Sequence, residues 1–339
     1  MDIALIGFGN VGQGFAAILR DRGEELRARY AFEPRLVAVA TRTRGTLVHP
    51  DGLNPGALLD AMAAGGLDRY PDEVGLQRGW SAQRIARQSR AGVLVEASPS
   101  DLETGQPALD LCYVALESGK HVVLANKGPV AVDFAGLQAA AQRAGKRLYF
   151  EATVMAGTPA LRLALDDLAG SGIRGARGIL NGTTNYILTQ MENEQEYADA
   201  LAQAQQAGYA EADPRGDVEG WDAAGKVVIL AAALFGLKLT LANIDVTGIT
   251  GITAADIASA RAAGERWRLI ARVTPDGGSV GPERLPLSDP LAGVVGATNA
   301  ITYDTDLLGP VTLVGAGAGR QETGFALLAD LLDLHRREK

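Results

Sequence analysis

Sulfur and imidazole are scarce in this chain. Its single cysteine, Cys112, falls inside a helical pattern running from Pro107 to Gly119, so no disulfide framework and no cysteine-based metal cluster can form within one chain. The three histidines, His49, His121 and His335, are scattered and stand near no acidic cluster, which argues against a histidine metal site or a histidine general acid. No dense basic run is present, and 40 acidic residues against 32 basic ones leave a net charge of −8; nucleic acid is not expected as a partner. No apolar run reaches membrane-spanning length. The N-terminus also lacks the basic-then-apolar layout of a signal peptide, so the expected location is the cytoplasm, away from membranes. What remains is a chain of 339 residues, 47% hydrophobic and 21% charged, long enough for about two domains with sizeable cores.

The first 150 residues alternate short apolar runs with amphipathic stretches. Strands are expected at Asp2 to Ile6, Arg35 to Ala40, Gly92 to Ala97, His121 to Ala125 and Arg147 to Phe150. A helix follows the first strand to about Asp21, and residues 54–90 read as mostly helical. Such alternation predicts a Rossmann-type, doubly wound parallel sheet with right-handed crossovers. Beyond residue 150 the pattern changes. Helices are expected at Thr158 to Ala169, Thr184 to Glu192, Gln195 to Gly208, Val218 to Phe235 and Thr253 to Ala263, the last opened by a capping pattern. Strands are expected at Arg174 to Leu180, Arg266 to Val273 and Ser279 to Leu285, the last two joined by Pro275-Asp-Gly-Gly278, a turn sequence suited to a hairpin. Two further strands, Ile301 to Tyr303 and Val311 to Val314, precede a closing helix. The expected organisation is an α/β nucleotide-binding domain over 1–150, an α+β domain over 151–317, and a closing helix within 318–336 that packs back on the first domain.

Gly7-Phe8-Gly9-Asn10-Val11-Gly12 follows a strand directly and opens a helix, the context a dinucleotide loop requires. The first glycine permits the tight turn, the second admits the pyrophosphate, the third lets helix and strand pack closely, and the helix-start amides bind the phosphates. At the end of the second strand, where NAD sites usually carry an acid for the ribose hydroxyls, the chain reads Thr41-Arg42-Thr43-Arg44. An arginine suits a 2′-phosphate, so NADP is the expected cofactor with Arg42 as its contact, NAD remaining possible; the other reading leaves both arginines as solvated loop residues.

The stretch Glu211-Ala-Asp-Pro-Arg-Gly-Asp-Val-Glu-Gly-Trp-Asp-Ala-Ala-Gly-Lys226 runs five acids and a lysine into the almost wholly apolar Val227 to Phe235. A helix apolar all round belongs in an interior. Asp222 lies four residues before Lys226 on the same helical face. A lysine between carboxylates and an apolar wall has the surroundings of a proton-transfer group. The same window also reads as a plain helix start, with Asp217 as N-cap and Asp222–Lys226 as a surface ion pair.

Seven blocks, in order and spanning nearly the whole chain, together resemble the homoserine dehydrogenase family: GFGNVG (7–12), ANKGPVA (125–131), EATVMAGTP (151–159), NGTTNYIL (181–188), EADPRGDVEGWDAAGK (211–226), DPLAGVVGATNAI (289–301) and GAGAG (315–319). The resemblance implies reversible NAD(P)H-dependent reduction of L-aspartate 4-semialdehyde to L-homoserine, and a homodimer or dimer of dimers built through a combined dimerisation and substrate domain. It also implies a short form without the C-terminal regulatory domain of longer members. By resemblance, Lys226 is the proton donor and acceptor. Glu211 holds the substrate's α-ammonium, and Asp217 and Asp222 orient the substrate hydroxyl, a water or Lys226. Lys127, just past the strand His121 to Ala125, reaches the nicotinamide end and touches substrate, cofactor or both; otherwise it is a surface lysine. The amides of Asn181 to Thr184 and the Thr183 hydroxyl bind the substrate carboxylate, unless those threonines simply cap the helix. Ser98 and Gly317 touch the cofactor. Family members often hold a sodium ion through backbone carbonyls, here those of Glu151, Val154, Ala156 and Thr158, although Met155 and Thr158 stand where the family often has glycine or another small or aliphatic residue. Rival readings are a related NADP-dependent semialdehyde or imine reductase and a non-catalytic NADP-binding sensor. A phosphorylating semialdehyde dehydrogenase would need a nucleophilic cysteine, which Cys112 inside a helix does not offer.

Overall fold

Three apolar runs, β1 (Asp2–Ile6), β5 (Val93–Glu96) and β6 (His121–Leu124), are buried almost throughout, as strands of a parallel sheet covered on both faces must be. The computed structural model describes residues 1–339 and divides into two compact units, Met1–Gly157 with Gly319–Lys339, and Thr158–Ala318. No helix is long and apolar enough to cross a membrane.

In the first unit, β1 pairs in parallel with β2 (Arg35–Ala40) on one side and β5 on the other, and β6 and β7 (Leu148–Tyr149) extend the sheet. The strand order reverses at β1 and β5. In open α/β sheets ligands bind beyond the carboxyl ends of strands at that switch point. Helices α1 (Asn10–Tyr30), α2 (Pro55–Ala63), α3 (Ala82–Gln88), α4 (Ala108–Glu117) and α5 (Lys127–Arg143) belong to this unit. The helix after β1 continues well past Asp21, to Tyr30. Its second half is charged rather than periodic, carries exposed pairs such as Arg22–Glu25, and stops where Ala31 turns left-handed.

Beyond β2 the sheet departs from the expected alternation. Residues Thr46–Leu53 form β3, antiparallel to β2, and Gln77–Arg78 add β4 at the edge. Pro50-Asp51-Gly52 hides this strand from a periodicity reading. The partner of Leu36 is Leu53 and that of Ala38 is Val48, so the turn-like tripeptide bulges out of the ladder. The stretch 54–90, expected to be mostly helical with polar interruptions, contains two short helices, a 3-10 turn over Leu67–Arg69 and the edge strand β4.

The closing helix, Arg320–Arg337, lies against α1. A Cβ at Gly14 would overlap the backbone of Arg320, and one at Gly324 would lie 2.6 Å from the amide nitrogen of Phe15, so the two helices meet backbone to backbone. Phe15, Leu19, Leu327, Leu331 and Leu334 join one core with the sheet residues Ile3, Leu5, Val39 and Val95.

The second unit is built on a six-stranded sheet. Its order is β13 (Gly309–Ala316), β12 (Thr298–Thr305), β8 (Ile173–Ile179), β10 (Glu265–Thr274), β11 (Gly277–Pro286) and β9 (Asp245–Val246). β10 and β11 form the expected hairpin, tightened to a two-residue connection at Pro275-Asp276. The helices are a single turn, α6 (Ala160–Arg162), running into a wider π turn over residues 163–167, then α7 (Gly182–Glu192), α8 (Tyr197–Gln206), α9 (Arg215–Val218), α10 (Trp221–Phe235) and α11 (Ala254–Ala262). The helix expected from Val218 is interrupted. Gly220 adopts a left-handed φ of 92°, ending α9 and restarting the chain as α10. Asp217 therefore sits within α9 and is not the N-cap of α10. Nine consecutive residues of α10, Ala223 to Ala231, are buried, and Lys226 is among them.

Candidate active site

Burial removes the surface ion pair as a reading of Lys226. Only 6% of the residue is exposed, so the lysine is no member of a surface ion pair. Its Nζ donates to Asp222 Oδ2 at 2.8 Å, one helical turn back, and to the carbonyl of Leu180 at 2.5 Å, just past the end of β8. The Asn181 side chain joins the same group. Its Nδ2 donates to Asp217 Oδ1 at 2.7 Å and to Asp222 Oδ2 at 3.1 Å, while its Oδ1 caps α7 by accepting from the Thr184 amide. Burial raises the Asp217 carboxyl above the ordinary aspartate range, against the pull of the Asn181 hydrogen bond, and the neighbouring charge of Asp222 adds to the rise. A strand end, a helix cap and two helices separated by Gly220 thus gather one ammonium, two carboxylates and one amide.

Of the sequence-predicted residues, Glu211 stands apart from this network, while Thr183 touches it through Asp217, whose carboxyl its side chain pulls down. Glu211 lies on the exposed segment between α8 and α9, where its own carbonyl accepts from Gln205. The Thr183 hydroxyl donates to the carbonyl of Tyr209 at 2.7 Å, so its proton is engaged within the unit; the Gly182 and Thr183 amides at the start of α7 are outside the cap. Gly317 has a local explanation: the Asn299 side-chain amide occupies the space where a Cβ would stand.

The first unit builds a phosphate cradle. At Gly7, with φ 94°, a Cβ would overlap the backbone joining Ala97 and Ser98 beyond β5, so the loop closes against the switch point. A Cβ at Gly12 would overlap the Gly7 carbonyl, whereas the space beside Gly9 is open. Gly9 precedes α1 without a side-chain cap, and the first turn holds no acid, so the first amides of α1 stand at the positive end of the helix with no side chain capping them. Phe8 is buried beneath the loop. The residues present therefore fit a dinucleotide pyrophosphate.

Sequence reasoning missed the floor of this cradle. Glu96, the last residue of β5, is wholly buried; desolvation pushes its carboxyl up to about 7, while hydrogen bonds from Ser98 and Asn126 oppose the shift. Its Oε1 accepts from the Ser98 amide at 3.3 Å. Asn126 caps α5 through Gly128 and reaches Ser98 Oγ and the Pro99 carbonyl, and the Lys127 amide donates to Ser100 Oγ at 2.9 Å. The available signal was a lone acid ending the otherwise apolar run Gly92 to Ala97. At the end of β2, Thr41 closes a tight loop onto Gly45 and leaves Arg42 exposed.

Comparison with known proteins decides the family. A family model for homoserine dehydrogenase matches residues 159–332, and one for the homoserine dehydrogenase NAD binding domain matches residues 7–151. The NAD(+)-dependent homoserine dehydrogenase of Pseudomonas canavaninivorans is 41% identical, over 98% of this chain and 96% of the relative. The chain belongs to the homoserine dehydrogenase family. The homoserine dehydrogenase of Methanocaldococcus jannaschii is 39% identical over the full length of both chains. Among solved structures, a putative homoserine dehydrogenase from Archaeoglobus fulgidus superposes with a TM-score of 0.88 at 38% identity, covering 98% of this chain and 99% of that one. A hyperthermophilic archaeal homoserine dehydrogenase in complex with NADPH gives 0.84 at 28% identity, with 99% and 98% covered. As a homoserine dehydrogenase the chain is an NAD(P)-dependent oxidoreductase, its first unit carrying the Rossmann-like nucleotide fold and its second the family's own sheet domain.

Proposed function

We propose that Lys226 carries the proton of the homoserine dehydrogenase reaction in this chain. The observation behind the proposal is the buried ammonium held by Asp222 and the Leu180 carbonyl. An ammonium has three N–H bonds. Two are spent on these partners, and the third is left for the substrate's terminal oxygen. When L-aspartate 4-semialdehyde is reduced, the bound nicotinamide supplies the hydride and the carbonyl oxygen becomes an alkoxide. Lys226 stabilises that charge and delivers its proton; in the reverse direction the neutral amine accepts the hydroxyl proton of L-homoserine. Asp222 and Asn181 fix the Lys226 rotamer, and Asp217 holds Asn181.

The headgroup of the substrate belongs, in this reading, at the start of α7. The Gly182 and Thr183 amides bind its carboxylate, and Glu211 binds its ammonium once the exposed segment carrying that glutamate orders around the ligand. Lys127, Ser98 and the Gly7–Gly12 loop serve the cofactor, with Lys127 at its nicotinamide end. Arg42 is exposed and no acid ends β2, which supports NADP over NAD. The relatives name both choices, NAD(+) dependence in the Pseudomonas enzyme and bound NADPH in the archaeal one. The carbonyls of Glu151 and Thr158 accept from Val154 and Ala160, and a carbonyl oxygen keeps a second lone pair, so carbonyls at Glu151, Val154, Ala156 and Thr158 suit a hard cation such as sodium. A homodimer or dimer of dimers, formed through the domain over residues 151–317, and a cytoplasmic location complete the reading.

A spectrophotometric assay of L-homoserine oxidation tests it. Turnover with NADP+ at a higher kcat/KM than with NAD+ is expected. No turnover with either would overturn the reaction, and a strong NAD+ preference would remove the role of Arg42.

A further inference from the structure

Asn299 is wholly buried, yet neither its Oδ1 nor its Nδ2 has a hydrogen-bond partner. Buried side-chain amides in folded proteins are nearly always satisfied. A nearby one is half satisfied: Asn185 Nδ2 reaches the carbonyls of Val294, Gly296 and Thr298, pinning the segment that leads into Asn299 against α7, while its Oδ1 has no partner; Asn299 lacks partners on both atoms. Thr298 opens β12, where Asn299 pairs in register with Gly315. The backbone is therefore fixed on both sides of a side chain left without partners.

The location gives the orphan amide a purpose. A Cβ at Gly182, the first residue of α7, would lie 3.3 Å from Asn299 Oδ1 and 2.6 Å from the Ala297 carbonyl. On its other side the amide fills the space that a Cβ of Gly317 would need. Two glycines thus leave room for this amide beside the N-terminus of α7, an eleven-residue helix whose first amides lie outside its cap. A carboxylate meeting those amides would lie beside Asn299. One side-chain amide can donate to that carboxylate through Nδ2 and accept from an α-ammonium through Oδ1, which matches both charges of an α-amino acid.

We propose that Asn299 is a further substrate-positioning residue, its side-chain amide binding the α-amino-acid headgroup at the start of α7. The inference rests on the homoserine reading of the site and adds to it a residue outside the Lys226 network. It explains why the amide stays unsatisfied without substrate: its partners arrive with the ligand.

Steady-state kinetics of L-homoserine oxidation on the full chain, with melting curves alongside, test it. Asn299→Ala is expected to raise KM for L-homoserine about 10- to 100-fold, with KM for NADP+ within about twofold and Tm not lowered, since no intramolecular hydrogen bond is lost. Asn299→Asp keeps the side chain's shape but sets a carboxylate against the substrate's own, and its KM for L-homoserine should rise at least as far. An unchanged KM for L-homoserine in either variant would overturn the inference, as would a lowered Tm with both KM values raised together, the mark of a structural role. Wild-type protein inactive on L-homoserine would instead overturn the homoserine reading and this inference with it.

Discussion

Lys226 and Asp222 differ in burial. The lysine side chain is 8% exposed and the Asp222 side chain 24%. Removing the carboxylate strands a buried ammonium on a single backbone carbonyl. Asp222→Ala should therefore cost roughly 2–3 kcal/mol of stability, toward the low end for breaking a buried pair because the acid is partly solvated. Urea unfolding checks this, and a change within about 0.5 kcal/mol would mean that solvent already supports the lysine. Glu96 makes a second prediction at this scale. Its carboxyl titrates near 4.5 ordinarily and at about 7 in the fold. Below the lower value both states hold the proton. Between the two the unfolded chain releases it while the native chain keeps it, so stability falls as pH rises through this window, by on the order of 3 kcal/mol once above it. Glu96→Gln removes this dependence. Its stability relative to wild type should be higher at pH 8 than at pH 5, and an equal difference at both would show that Glu96 does not titrate in the window.

Glycine in a phosphate loop has separable duties at the scale of an element. Gly12 has no room for a side chain because the Gly7 carbonyl is there, whereas Gly9 has a negative φ and open space. Gly9→Ala should fold with an unchanged Tm and bind NADP+ at least tenfold more weakly, since its methyl group would stand where the pyrophosphate approaches. Nicotinamide fluorescence titration and a melting curve separate the effects; unchanged affinity would remove the loop from the cofactor site. The strand–turn–helix around this loop was legible in the sequence because apolar runs and glycine spacing are local signals. So were the Thr253 capping box, present with Asp256, and the hairpin of β10 and β11. β3 was not legible, because Pro50 to Gly52 interrupts its pattern and only pairing with β2 restores it. Nor was the break at Gly220, since one glycine before an apolar helix does not announce a left-handed φ. Of the site, the i, i+4 pair of Asp222 and Lys226 could be read directly. The Asn181 bridge depends on partners brought together from far along the chain, and the burial of Glu96 and Asn299 depends on the packing around them.

The nucleotide-binding fold lies in one unit and the Lys226 cluster in the other, each with its own sheet. The family assignment spans both. In solution the protein is expected to run at twice its chain mass or a multiple of it, and light scattering that returned the mass of one chain would contradict the dimer. The most direct test of the account is the turnover of Lys226→Ala on L-homoserine. With NADP+ affinity and Tm preserved, kcat should fall roughly 10²- to 10⁴-fold, the scale of a lost general acid–base group; a variant that binds cofactor normally and turns over at near wild-type rate would show that the proton travels by another route.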